Sequence, residues 1–203
     1  NNEGDLMKLL NEAEKQRQKE LDNEARFDHL HKIGKHIEDC LRHKFDSSLI
    51  KIESSTSVED DQSGQDLTIS VIKNGQYVEV YYVEVKSKWD FSEPAHMSTL
   101  QIQKAVNNQD KYALCCVDLR QYKNEDLLNL PEDLICSCTK VKMNIGEELS
   151  PLVNNIIKAA KESEDKQIKI SEYRSNMSAA IFSQGESLDC LIARIEDAIK
   201  EQL

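Results

Sequence analysis

An α/β architecture with a mixed central sheet follows from three features of the sequence. Phe27, Leu30, Ile33, Ile37, Leu41 and Phe45 recur at spacings of three and four, which predicts an amphipathic helix. Two alternating runs flank Asn74-Gly75, the strongest short-range signal for a β-hairpin. A helical stretch from Met97 to Asn108 then precedes the apolar run Tyr112–Leu119, which predicts a buried strand. Helix, hairpin, helix and strand in that order predict a sheet flanked by helices, with the last helix and strand forming a crossover onto the hairpin.

The elements follow in chain order. Residues 1–25 alternate charges densely and carry little apolar face, which predicts a charged linker helix or short coiled-coil stem. The amphipathic helix should stop at Asp46-Ser47-Ser48, and Leu49–Glu53 reads as a first strand. Residues 54–65 are small, polar and acidic, hence a loop. Asp66 opens the first hairpin strand. In the second, Val78, Val80, Tyr82, Glu84 and Lys86 share one face, and Tyr77, Glu79, Tyr81, Val83 and Val85 the other. Apolar character on both faces predicts a central strand. Trp89–Pro94 reads as a loop. Ser98 is a candidate N-cap, with Gln101 as its capping-box partner. Leu134–Ile145 reads as a strand, Pro151 as the start of a helix to Lys161, and Ile168–Phe182 as one or two strands. Gln184-Gly185 is a turn before an amphipathic helix over 186–202. The predicted organisation is a linker helix (1–25), a core (26–145) and a C-terminal α+β extension packed on it (146–203).

The composition is that of a globular chain with a highly charged surface: 39% hydrophobic and 31% charged residues, with a net charge of −11. The acidic balance counts against tight non-specific DNA binding, although a metal site is itself locally acidic. No apolar run approaches the ~20 residues of a membrane span. The N-terminus has no signal-peptide character, and the expected location is cytoplasmic. The absence of an initiating methionine suggests a fragment of a longer chain. The six cysteines read as reduced, buried thiols; Cys136 and Cys138 would share a strand face, but no partner pair with zinc-site spacing follows.

Asp66, Glu84 and Lys86 carry the chemistry. Two carboxylates on neighbouring strands, with the Val85 carbonyl, can hold Mg²⁺ (or Mn²⁺) through hard oxygen ligands. Lys86 would orient a water or stabilise charge on phosphorus. A carboxylate opening a hairpin, followed by Glu84-Val85-Lys86, resembles the PD-(D/E)xK nuclease pattern. Gly34 and Glu38 resemble the G-x-x-x-E of the first helix in Mrr-like members. Ser98, Gln101, Ala105, Tyr112, Leu114 and Val117 look like the S-x-x-E-x-x-x-A…Y-x-L-x-x-V pattern of the NO VEIN-like C-terminal domains, with Gln101 replacing the usual acid. This resemblance covers Gly34 to Val117. It implies a restriction-endonuclease-like core and metal-dependent hydrolysis of DNA, with Asp66, Glu84, Lys86 and Glu38 catalytic. Gln101 and Ser98 would position substrate. It also implies a larger parent chain, often containing an ATPase. Two other readings stand beside it: a nuclease-like module that binds nucleic acid or protein without cutting, and an architectural domain that fixes an ATPase to an assembly through its charged N-terminal and amphipathic C-terminal helices, with a homodimer as one expected form.

Overall fold

The computed structural model describes residues 2–49, 56–60, 63–73, 76–89 and 94–202. The chain divides into two units, 1–36 and 37–203. One helix, α1 (Asn2–Leu49), runs from the first unit into the second. Residues 14–29 are exposed, with side-chain hydrogen bonds one turn apart between Gln16 and Glu20 and between Gln18 and Asp22. The predicted stripe is buried at Ile33, Ile37, Leu41 and Phe45, but Phe27 is 69% exposed. The helix does not stop at Asp46. Phe45 and Leu49, one turn apart, are both fully buried, and that burial outweighs the weak helix propensity of Asp46, Ser47 and Ser48.

In the second unit six strands form one sheet: β1 (Thr56–Asp60), β2 (Leu67–Lys73), β3 (Gln76–Lys88), β5 (Tyr112–Asp118), β6 (Thr139–Met143) and β8 (Glu186–Ser187), in the order β1-β2-β3-β5-β6-β8. β3 and β5 are parallel; the other pairs are antiparallel. The central position predicted for β3 is observed, as is the buried strand β5. Asn74-Gly75 lies outside the described residues, but the flanking strands pair with Lys73 opposite Gln76. Residues 50–53 of the predicted first strand also lie outside them, and Leu49 ends α1. The polar stretch read as a loop instead supplies β1, an edge strand, where an apolar face is not required. A second, two-stranded sheet pairs β4 (Ala95–Met97) with β7 (Ser175–Met177).

Register assigns the faces. Glu84 pairs with Leu114 and Leu114 with Lys142; Lys86 pairs with Cys116 and Cys116 with Lys140. Directly paired residues share a face, so Tyr82, Glu84, Lys86 and Lys88 lie on the same side as Tyr112, Leu114, Cys116, Lys140 and Lys142. The helices α2 (Thr99–Asn107) and α4 (Ile145–Glu162) cover this side: Ile102, Ala105, Ile145, Leu149 and Val153 form one apolar cluster with Tyr112, Leu114 and Cys116. The Lys104 ammonium on α2 sits 4.1 Å from the centre of the Tyr82 ring. The opposite side buries Leu67, Ile69, Val83, Val85, Cys115, Val117 and Val141. There Cys115 feels Cys136 of α3 (Glu132–Ser137), which in turn neighbours Cys40 and Lys44 of α1. His43 meets Glu132 at 2.6 Å, and Lys44 meets Asp189 of α5 (Leu188–Gln202) at 3.6 Å.

The sequence reading errs mainly after residue 130. Leu134–Ile145 is not one strand but α3 followed by β6. Pro131 precedes the helix, and Glu132 and Asp133 place negative charge at its first turn, where the helix dipole favours it. Cys136 therefore lies in a helix and Cys138 caps it, so they do not share a strand face. None of the six cysteines forms a disulfide, and Cys190 is exposed rather than buried. Pro151 lies inside α4, which begins at Ile145. Ile145, Leu149 and Val153, spaced by four, are all buried and carry the helix through the proline. Ile168–Phe182 holds only the short β7 and a 3₁₀ turn (Ala179–Ser183), and Ile168 is 85% exposed. No described helix is long and apolar enough to cross a membrane.

Candidate active site

The site forms where β3 outruns β2. β2 begins at Leu67, opposite Val83, so among the described strands residues 84–88 of β3 continue paired with β5 alone. Asp66 sits at that step. Its amide donates to the Val83 carbonyl at 3.0 Å, and its Oδ2 accepts from the Val85 amide at 2.7 Å. The carboxylate thus takes over the ladder where the strand stops. By alternation the Val85 carbonyl points to the same edge, past the end of β2.

Glu84 is 0% exposed, yet it is an acid. Its Oε1 contacts the Lys86 ammonium and accepts from Gln101 Nε2 at 2.5 Å; its Oε2 lies 3.4 Å from the Tyr112 hydroxyl. Burial, partly offset by Lys86 and reinforced by the nearby Asp66 charge, pushes the Glu84 carboxyl up to about 8. Burial and the two carboxylates hold the Tyr112 phenol far above its ordinary range, and its hydroxyl donates to the Gly64 carbonyl at 2.9 Å. Gly64 adopts φ +99°, and a Cβ there would stand 2.9 Å from the Leu100 carbonyl oxygen, so glycine is required for this loop to lie against α2.

Gln101 links helix and site. The predicted capping box is present: Ser98 Oγ accepts from the Gln101 amide at 3.4 Å, and Gln101 Oε1 accepts from the Ser98 amide at 2.8 Å. With its oxygen committed to Ser98, the side chain must turn its nitrogen to Glu84. Lys86 Nζ also reaches Gln101 Oε1 at 3.4 Å. Ser98→Ala is expected to cost about 1 kcal/mol, read from urea denaturation. An unchanged midpoint would show that the cap is not holding the start of α2.

Asp66, Glu84, Lys86, Gln101 and the Val85 backbone therefore meet in one place, with Ser98 behind Gln101. Glu38 lies half-buried on α1, and none of the contacts to Glu84 comes from it. Gly34 has no packing role, since a Cβ there would meet nothing within 4 Å. Lys104 is engaged with Tyr82, and Lys88 is buried. The sequence reading assigned Tyr112 no role. Its position at the mouth of a wholly buried strand was the available signal, because a buried phenol needs a polar partner.

Among the described residues no group of three or more His, Cys, Asp or Glu side chains could hold a metal ion. Two carboxylates and a carbonyl do fit an ion that keeps several waters, as Mg²⁺ does. The raised Glu84 carboxyl beside Asp66 fits as well, because a divalent cation would relieve the repulsion between them.

Residues 37–127 match the family model described as Protein NO VEIN, C-terminal. The match begins where the second structural unit begins. It takes in Glu38 and the whole Asp66–Gln101 site, but not Gly34 or the segment after residue 127. No curated protein and no solved structure matches the chain. The mixed sheet flanked by helices agrees with the restriction-endonuclease-like core that the sequence predicts. Residues 37–127 are thus similar to the NO VEIN C-terminal domains, in agreement with the PD-(D/E)xK resemblance read from the sequence.

Proposed function

We propose that this site hydrolyses phosphodiester bonds of DNA with Mg²⁺ or Mn²⁺, as the effector domain of a larger protein. The observation that supports this most directly is the meeting of Asp66, Glu84 and Lys86 where β3 runs past β2. Asp66, Glu84 and the Val85 carbonyl would hold the ion, which when bound would activate water and offset phosphate charge. Lys86, whose side chain is 20% exposed, is the group that can turn from Glu84 toward a phosphate oxygen. Gln101 holds Glu84 in place while Lys86 moves. Glu38 of α1 remains a catalytic candidate from the family resemblance alone.

Supercoiled plasmid and single-stranded DNA incubated with the purified chain and Mg²⁺ or Mn²⁺ test this. Cleavage is expected, reduced to background in Glu84→Gln and by about 10²–10³-fold in Lys86→Ala. An inert wild-type chain, or cleavage indifferent to Glu84→Gln, refutes the reading. The complete burial of Glu84 favours a second reading, a nuclease-like module that binds nucleic acid or protein without cutting. A Mn²⁺ titration separates them: the second predicts no site that depends on Asp66 and Glu84.

A further inference from the structure

The lysines on the α2-covered face of the sheet are unusual in a chain of net charge −11. Lys86 of β3 and Lys140 of β6 flank Cys116 of β5 in direct register, so both project from the same face. Lys142 follows on β6. Both Lys86 and Lys142 lie close enough to Cys116 to work against the burial that raises its thiol. Three of the basic groups here already have acids. Lys86 contacts Glu84; Lys142 binds Glu148 at 2.9 and 3.0 Å; Arg120 grips Asp118 with Nε at 2.8 Å and Nη2 at 2.5 Å. Among the described residues Lys140 has no acidic side chain in ion-pair contact. It is half-buried and lines an open cavity of about 580 Å³ with Asp118, Arg120, Gln121, Ser137 and Phe182. Asp118 is neutralised by Arg120, with Lys88 also nearby, so the wall presents net positive charge. The cavity lies at the carboxyl end of β5, which pairs in parallel with β3, the end at which ligands of such sheets bind.

We propose that this cavity is a second phosphate subsite, in which Lys140 holds a backbone phosphate of a nucleic-acid strand whose scissile phosphodiester, a few nucleotides along, lies at Lys86. The kind of ligand rests on the function proposed above; the subsite rests on register and charge. Two interstrand spacings of about 4.8 Å separate the Lys86 and Lys140 backbones, about 10 Å in all. That is about three nucleotide rises at 3.4 Å each. Cys116 between them is buried under the α2 and α4 cluster, so the strand would run past the carboxyl end of the sheet, not over this face, to bring a phosphate to each lysine. Lys140 and Phe182 line the same cavity, so the lysine stem has an apolar neighbour on the wall.

Fluorescence anisotropy of fluorescein-labelled DNA, single-stranded and duplex, tests the subsite with Ca²⁺ in place of Mg²⁺ so that binding is read without cleavage. Lys140→Gln is expected to weaken binding about 5- to 10-fold at about 50 mM salt and to lower the slope of log K against log salt by about 0.7 for single strands or 0.9 for duplex. Lys140→Arg should bind nearly as wild type, and Lys158→Gln, on the outer face of α4, should change affinity less than twofold. Circular dichroism melts of the Lys140 variants check that the fold is intact. Wild-type affinity in Lys140→Gln, or no binding by the wild-type chain, overturns the subsite. If DNA is cleaved but Lys140→Gln binds normally, the subsite fails and the proposed reaction stands. If Lys140-dependent binding occurs without cleavage, the reaction fails and the subsite stands.

Discussion

Glu84→Gln should make the protein more stable at pH 9 while removing the function proposed for it. The physical reason is the burial of Glu84. Its carboxyl is pushed from 4.5 up to about 8, chiefly by desolvation. The folded state therefore holds this proton more tightly than the unfolded chain does. The stabilisation that follows is fully present below pH 4.5, declines as pH rises, and is gone above about pH 8. Each tenfold change in proton affinity corresponds to about 1.4 kcal/mol, so the loss across this window is on the order of a few kcal/mol. Glutamine carries no proton to lose. Its amide oxygen can accept from Lys86 and Gln101, and its amide nitrogen can donate to the Tyr112 hydroxyl, which already gives its own proton to Gly64. Urea denaturation of both forms at pH 5, 7 and 9 is the measurement. Near-equal stability is expected at pH 5, with the variant ahead by a few kcal/mol at pH 9. A difference that does not change with pH would show that Glu84 is not held protonated. Under the proposed function, Mg²⁺ at pH 8 should raise the wild-type melting temperature and leave Glu84→Gln unmoved.

What the sequence reveals about this site is what local spacing controls. Glu84 and Lys86 share a face because strands alternate, and the three-residue step from Ser98 to Gln101 marks a capping box wherever it begins a helix. Both follow from neighbours in the chain. The amphipathic stripe of α1 was legible for the same reason, but where it ends was not, since the burial of Leu49 is a tertiary fact. The same holds for α3 and for Pro151 within α4: local signals favoured a strand and a helix start, and packing decided otherwise. The partnership of Gln101 with Glu84 and the alignment of Lys140 with Lys86 depend on registers between strands distant in sequence. The resemblance to a family could suggest that Gln101 lies near the site. It could not show that the cap dictates which end of the amide faces the acid.

Two glycines sharpen the contrast, and their substitutions should act in opposite directions. Gly34 drew notice as part of a family-like spacing, yet an added Cβ there meets nothing within 4 Å. In a helix interior, Gly34→Ala should be neutral or stabilising by up to about 1 kcal/mol. Gly146 gave no signal at all in the sequence. It is the second residue of α4, and a Cβ there would stand 2.0 Å from the Ala105 carbonyl oxygen and 2.6 Å from its carbon. Those are backbone atoms of α2, so no rotamer change relieves the overlap. The helices must separate, which opens the cluster of Ile102, Ala105, Leu149 and Val153. Gly146→Ala should therefore cost about 3 kcal/mol or more, at the upper end of overpacking effects. Because α2 carries Gln101 to Glu84, the damage should not stay at the helix crossing. Loosening α2 frees the Glu84 carboxylate from one of its three partners and lets water in. Melting temperatures of the two alanine variants, measured beside wild type, test the packing. A Gly146→Ala protein as stable as wild type would mean that α2 and α4 do not touch through their backbones, and the close helix contact that supports the site would have to be redrawn.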